Sequence, residues 1–254
     1  MQTEKTSPPF LRMFLRSFFL QVVLNYERMQ GLGFGIIILP IARSLELRGK
    51  ELSDFLRRSF SFFNSHPYYA NYAAGAVSRL EMDKASEREI KSLKEQLLGP
   101  LGLLGDQVFW YRLKPLFGLC AVIAVLLICW PVRAGFRNEY IPAVVSILIL
   151  YNILHLWVRR QGLIKGYASG SGVIEVLKNS FLIRRRRLLG LICAFTAGYY
   201  LINVSHISDH SIGFWSAFVS ASICLYFRVR LWAAVLFSLT IALVFTFIAE
   251  IRIF

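Results

Sequence analysis

The sequence predicts an all-α polytopic membrane protein: N-terminal amphipathic and re-entrant helices with a Gly/Pro-broken helix, followed by about five transmembrane helices. Three observations predict this class. First, 56% of the 254 residues are hydrophobic, 15% are aromatic and the mean hydropathy is +0.53. Second, several apolar runs are long enough to cross a hydrocarbon layer of roughly 30 Å. Third, the net charge of +14, from 29 Lys and Arg against 15 Asp and Glu, is gathered at the ends of those runs. Positive-inside anchoring and anionic membrane lipid account for that placement better than nucleic acid does. Cys120, Cys129, Cys193 and Cys224 all fall inside apolar runs without metal-knuckle spacing, so they read as space-filling thiols. No cofactor and no metal are implied.

In order, a short polar start containing Pro8 and Pro9 leads into residues 10–24. Arg12 and Arg16 share one helical face there, and Phe14, Phe18 and Val22 share another. The pattern is an amphipathic helix at the membrane interface or packed beneath the membrane domain. Glu27 and Arg28 precede Gly31, Gly33 and Gly35 and an apolar run, 36–41, broken at Pro40. That run is too short to span unaided, so it is either a re-entrant limb or a buried core helix. Lone charges beside it would be expensive, so Glu27 and Arg28 are expected to be paired or hydrated, and they read as a buried pair joining two limbs rather than as a contact to a ligand.

Residues 42–58 are charged and helical in pattern. An aromatic cluster follows, Phe60-Ser61-Phe62-Phe63-Asn64-Ser65-His66-Pro67-Tyr68-Tyr69, with a bend at His66 because the residue before a proline disfavours helix. Helix resumes over 69–81, where Ala73, Ala74, Gly75 and Ala76 permit close helix approach. Residues 82–96 form a solvated amphipathic helix. Beyond it lie Gly99, Pro100, Gly102 and Gly105, a set of helix breakers that predicts a bend. Asp106 then reads as the cap of a helix running on through Trp110.

Five spanning segments follow, at 115–132, 141–158, 188–205, 212–227 and 231–250. The domain division is therefore 1–112, an N-terminal core part, and 113–254, a transmembrane part. The connection 159–187 carries Arg159, Arg160, Lys165, Lys178 and Arg184-Arg185-Arg186-Arg187. So basic a stretch is expected to face the cytoplasm, and with it the N-terminus.

Three blocks in this chain resemble a known family. They are Asn25-Tyr26-Glu27-Arg28-Met29-Gln30 with Gly31-Leu32-Gly33-Phe34, then Phe62-Phe63-Asn64-Ser65-His66-Pro67-Tyr68, then Leu98-Gly99-Pro100-Leu101 with Gly105-Asp106 and Phe109-Trp110. Together, in this order and spacing, they are similar to the IID membrane subunit of mannose/fructose/sorbose-type phosphotransferase systems. The likeness continues more faintly through Gly162-Leu163-Ile164-Lys165-Gly166-Tyr167 and covers roughly residues 10 to 180.

The resemblance implies a multi-pass subunit of the bacterial inner membrane that assembles with a IIC subunit, as a trimer of IIC-IID pairs. The pair moves a hexose inward, and cytoplasmic IIA and IIB proteins relay phosphate to it. The covalent chemistry then lies on other chains, in keeping with a sequence that shows no P-loop, nucleophile motif or His-rich metal spacing. It also implies that Glu27, Arg28, Gln30, Pro67, Glu81, Gly99, Pro100 and Gly105 act structurally or at the partner contact.

A hexose presents hydroxyls, so its site needs groups that donate and accept, and an aromatic face for its C–H surface. Asn64, His66 and Asp106 answer the first need, and Trp110 or Phe63 the second. Each also has a plainer role: Asn64 as cap of the turn before Pro67, His66 as partner of a backbone carbonyl, Asp106 as helix cap. His155 reads as interfacial rather than as a proton relay, having no carboxylate nearby. Besides the transport subunit, two other classes stay open. One is an intramembrane enzyme using His66, Asp106 and Glu81; the other is a transport-inactive scaffold or sensor of the same family, which the high basic charge favours.

Overall fold

The computed structural model describes residues 8–129 and 140–205. Their regular elements are all helices, and among them no strand forms, only isolated bridges from Met29 to Asn25 and to Phe63. The expected spans at 212–227 and 231–250, and the Cys224 among them, lie outside the described residues. By packing the chain divides into two units: Met1–Lys114 with Val145–Arg187, and Pro115–Val144 with Leu188–Phe254.

The first unit begins with α1 (Phe10–Arg16), extended by a 3-10 turn at Ser17–Phe19. α2 (Gly31–Ser44) runs through Pro40 as one helix and buries nine of its residues, so it is a core helix rather than a limb broken at that proline. At 14 residues it is about 21 Å long, short of a bilayer. Gly31 and Gly35, one turn apart, let α2 approach the Ser61 carbonyl and the Phe60 ring.

α3 (Gly49–Ser59) and α4 (Ala70–Met82) follow. A Cβ on Gly75 would meet the Leu163 carbonyl, and one on Gly166 would meet the Tyr72 carbonyl. α4 and the later part of α7 (Tyr140–Ser169) therefore cross backbone against backbone, as the small residues of α4 lead one to expect. Asn71 fixes the crossing by donating from Nδ2 to the Arg159 carbonyl at 3.0 Å.

α5 (Glu87–Gly105) opens on a reciprocal capping box between Ser86 and Glu89. The expected break is absent: the helix continues through Gly99, Pro100 and Gly102 and passes at Asp106 into a π-helix, Asp106–Leu113. Burial explains this. Ile90, Leu93, Lys94, Leu97, Leu101 and Gly105 share the face packed into the unit, and tertiary packing outweighs the local preference of glycine and proline. Nor is Asp106 a helix cap. Its backbone is helical, at φ −60° and ψ −45°, and no capping bond is formed there.

The stretch between the second and third expected spans is helical rather than a loop. α7 runs on to Ser169, and α8 (Val173–Lys178) and α9 (Phe181–Arg184) follow it. The second unit holds most of α6 (Lys114–Cys129), the first residues of α7 and most of α10 (Arg186–Ser205). Among the described residues one stretch, Ile141–Ala197, is apolar and long enough to cross a membrane, and only 11% of its most apolar window is buried. Val145, Leu148, Ile149 and Ile153 stand exposed along it. A helix apolar all round and yet unburied has a lipid environment as its natural solvent.

Candidate functional site

A cleft of about 520 Å³ opens in the first unit, between the α3–α4 connection and the end of α5. Its volume falls in the range of small-molecule sites. One wall is the segment 62–67, which Pro67 keeps out of α4. Gln30 pins this wall: its backbone N–H donates to the Phe63 carbonyl at 2.7 Å, and its side-chain oxygen accepts from the Ser65 N–H at 3.1 Å. With Oε1 so engaged, its amide NH2 remains a donor for the cleft it lines.

Lys94 holds the same wall from behind. It is 3% exposed and donates from Nζ to the carbonyls of Arg58, Ser59 and Ser61 and to the Ser61 hydroxyl, at 2.8–3.1 Å. Its ammonium also stands 4.8 Å above the Phe34 ring. Burial pushes its pKa down to about 7, while the carbonyls ending α3 supply the acceptors that an ammonium at a helix C-terminus needs.

The other wall is Leu98, Gly99, Gly102 and Leu103 of α5, with Asp106 and Trp110 of the π-helix. Nothing stands near the missing side chains of Gly99 and Gly102, so these glycines leave room in the cleft. Gly105 is different, because a Cβ there would fall on His66 Cβ and Cγ.

His66 is the best-defined group in the site. It is 2% exposed, lies flat against Phe109 at 5.3 Å and has Trp110 at 5.2 Å. Its Nδ1 accepts the Tyr68 N–H at 3.3 Å, which places the proton on Nε2, a buried atom with no hydrogen-bond partner among the described residues. Burial, reinforced by the Arg159 guanidinium, lowers its pKa to about 3. The ring is therefore neutral at physiological pH and offers an N–H rather than a charge. Burial raises the Asp106 pKa, and among the described residues Asp106 is the one charged side chain lining the cleft. Lys114 covers the Trp110 ring at 4.5 Å.

Asn64, His66, Asp106 and Trp110 thus share one cleft, with Gln30, Pro67 and Gly99 beside them. Pro100 lies within α5, off the lining, and Gly105 lies beneath His66. Phe63 is wholly buried against Phe34 at 4.3 Å; its neighbour Phe62 lines the cleft instead. Glu27 and Arg28 are not the buried pair expected of them. They are chain neighbours 3.4 Å apart, with side chains 81% and 47% exposed. What Arg28 gives the site is its carbonyl, which accepts from the N–H groups of Gly31 and Phe63. Glu81 stands apart from the cleft, in a bidentate pair with Arg58 at 2.5–2.6 Å.

Sequence reasoning missed Lys94 and Arg159. Arg159 is buried, donates to the Ser17 carbonyl at 2.7 Å and stacks over Tyr68 at 5.1 Å. Lys94 had a signal, since it shares the i, i+3, i+4 spacing of Ile90, Leu93, Leu97 and Leu101 and so falls on the buried face.

The cleft therefore sets donors from His66 and Gln30, amide chemistry from Asn64, a carboxylate from Asp106 and a Trp110 ring around a space of small-molecule size. It suits a polyhydroxyl ligand with an apolar face. Among the described residues, no group of three His, Cys, Asp or Glu side chains could hold a metal ion.

Comparison with known proteins identifies the family. The family model for the IID component of the mannose/fructose/sorbose phosphotransferase family matches residues 6–208. The mannose-specific EIID component of Escherichia coli K12 is 29% identical over 215 residues, covering 81% of this chain and 72% of that protein. The fructose permease IID component of Bacillus subtilis 168 is 28% identical over 227 residues, covering 83% and 78%. In structure, the chain resembles one in the complex of the mannose transporter ManYZ with microcin E492, with a TM-score of 0.56, 27% identity and coverage of 79% and 71%. A second solved membrane protein superimposes with a TM-score of 0.64, also at 27% identity. On the extent of the family match, with these relatives beside it, the chain belongs to the IID component family of the mannose/fructose/sorbose phosphotransferase systems.

Proposed function

We propose that this subunit pairs with a IIC membrane subunit to form a permease that moves a hexose inward, and that the 520 Å³ cleft is its share of the sugar site. The observation that carries the reading is the convergence of Asn64, His66, Asp106 and Trp110 on one cleft, with Gln30 completing the polar set. Asp106 and Asn64 accept and His66 and Gln30 donate, while Trp110 takes the C–H face of the ring. Phosphoryl transfer belongs to cytoplasmic IIA and IIB proteins. An enzyme using His66, Asp106 and Glu81 together is disfavoured, since Glu81 is committed to Arg58.

In this reading the protein lies in the bacterial inner membrane with about five spans, its N-terminus and the basic stretch 159–187 on the cytoplasmic side, and assembles as a trimer of IIC-IID pairs. The charge placement supports that orientation. The test is a mild-detergent pull-down of the tagged chain from its native membranes, followed by phosphoenolpyruvate-dependent uptake in vesicles. A second hydrophobic subunit in equal amount, with uptake, is the expected result. A partner without uptake assigns the chain to a scaffold or sensor role, and turnover by the chain alone assigns it to an enzyme.

A further inference from the structure

Resting on the reading of the cleft as the sugar site, we infer that Gly99 and Gly102 are its specificity-determining residues: they keep a side-chain-free strip of α5 open for a short apolar substituent on the sugar.

Glycine in a helix interior is less favourable than alanine, because the freer backbone loses more entropy on folding. Elsewhere in this unit a close contact offsets that loss. A Cβ on Gly105 would fall on His66, one on Gly31 would meet the Ser61 carbonyl, and one on Gly75 would meet the Leu163 carbonyl. Gly99 and Gly102 also stand inside α5, yet among the described residues nothing lies within 4 Å of where their Cβ atoms would be. Alanine fits both positions and favours the helix. The two missing methyl groups therefore serve no packing within the described chain, and both positions line the cleft.

Register points the same way. Gly99, Gly102, Asp106 and Trp110 follow one another at steps of three and four residues and all line the cleft, so they form one stripe. Asp106 and Trp110 supply an acceptor and a ring face at one end. From Asp106 back to Gly99 the stripe runs about 10 Å, farther than a pyranose ring reaches. Leu98 and Leu103 line the cleft beside the glycines. The far end of the stripe thus has apolar flanks and no side-chain donor or acceptor of its own, which suits an alkyl or acyl group and not a second polyhydroxyl ring.

The test is equilibrium binding to the assembled complex in vesicles, with mannose, methyl α-mannoside, N-acetylmannosamine and 6-O-methylmannose as probes. The last three carry an apolar group on three different carbons and so sample three orientations of the sugar over the strip. Wild type is expected to bind mannose and at least one derivative. Gly99→Ala and Gly102→Ala should each weaken that derivative about tenfold more than mannose, the scale of one methyl group in a fitted pocket. Both substitutions should raise the melting temperature of the chain by about 2–4 °C, as alanine in place of an unpacked helix glycine does. Gly118→Ala, at a helix glycine whose Cβ would likewise meet nothing and which lies off the cleft lining, should leave the ratio of the two affinities unchanged. Wild type that binds neither mannose nor a derivative contradicts the sugar-site reading, and the inference falls with it. With mannose bound, three results overturn the inference alone: no derivative taken by wild type, an affinity ratio unchanged in both alanine variants, or loss of the second hydrophobic subunit from either variant. In the last case the glycines face the partner rather than the sugar.

Discussion

Gly105 and His66 are packed so closely that a methyl group on the glycine would occupy the space of the histidine Cβ and Cγ. The end of α5 therefore sets the position of the imidazole, and with it the direction of its buried Nε2–H, which has no partner among the described residues. A residue that lines nothing itself decides where the donor of the cleft stands.

Gly105→Ala is expected to displace His66 or to push α5 outward. Such overpacking costs about 1–3 kcal/mol of stability. In sugar uptake the apparent KM should rise while the partner subunit still co-purifies. An unchanged KM together with an unchanged melting temperature would show that the two elements separate freely.

The neutral state of His66 leads to a statement about pH. Its folded pKa of about 3 lies below the ordinary value of 6.5, so between these values the unfolded chain binds more protons than the folded one. The contribution of His66 to stability is then complete above about pH 6.5 and is lost as the pH falls toward 3. Uptake should show no titration of His66 from pH 5 to 8. His66→Gln, which keeps a donor amide, should retain more uptake than His66→Ala. An inflection near pH 6.5 that vanishes in His66→Gln would show a solvated, titrating ring instead.

Glu81 is 3% exposed and held bidentately by Arg58, whose pKa this hydrogen bond raises. Replacing Glu81 by Ala leaves a half-buried guanidinium without its partner, a loss of about 3 kcal/mol. Replacing both residues by Met should recover much of that loss. Thermal unfolding of the detergent-solubilised chain measures both effects. A single variant as stable as the parent would mean that water satisfies Arg58.

Lys94→Met keeps the stem of the side chain and removes the donors. The carbonyls of Arg58, Ser59 and Ser61 then lose a shared partner, and unsatisfied buried acceptors cost about 1–3 kcal/mol each. Faster amide exchange confined to residues 58–66 is the expected signature, together with weaker sugar binding. Exchange that rises uniformly would mark Lys94 as a general stabiliser without a particular bearing on the cleft wall.

Much of this arrangement is legible in the sequence. The bend at His66-Pro67, the helix over 69–81 and the close crossing at Gly75 follow from proline sterics and small residues, which act locally. The continuity of α5 does not, because Gly99, Pro100 and Gly102 are local breakers, while the burial of Leu97, Leu101 and Gly105 that overrides them is a tertiary fact. Glu27 and Arg28 misled for a related reason. Apolar neighbours in sequence suggested burial, but the turn at 25–30 leaves both side chains outside and uses only the Arg28 carbonyl. In Lys94 the charge concealed the position, since its spacing marks a buried site and its residue type a solvated one.

The most direct measurement of the central claim is equilibrium binding of radiolabelled hexose to the assembled complex in vesicles, with wild type compared against Asp106→Asn. Asp106 makes no capping bond, so this variant should assemble normally. The proposed site predicts binding at least about tenfold weaker, a difference of about 1.4 kcal/mol in keeping with loss of a charged hydrogen-bond acceptor. Normal assembly with unchanged hexose affinity would contradict the assignment of this cleft as the sugar site.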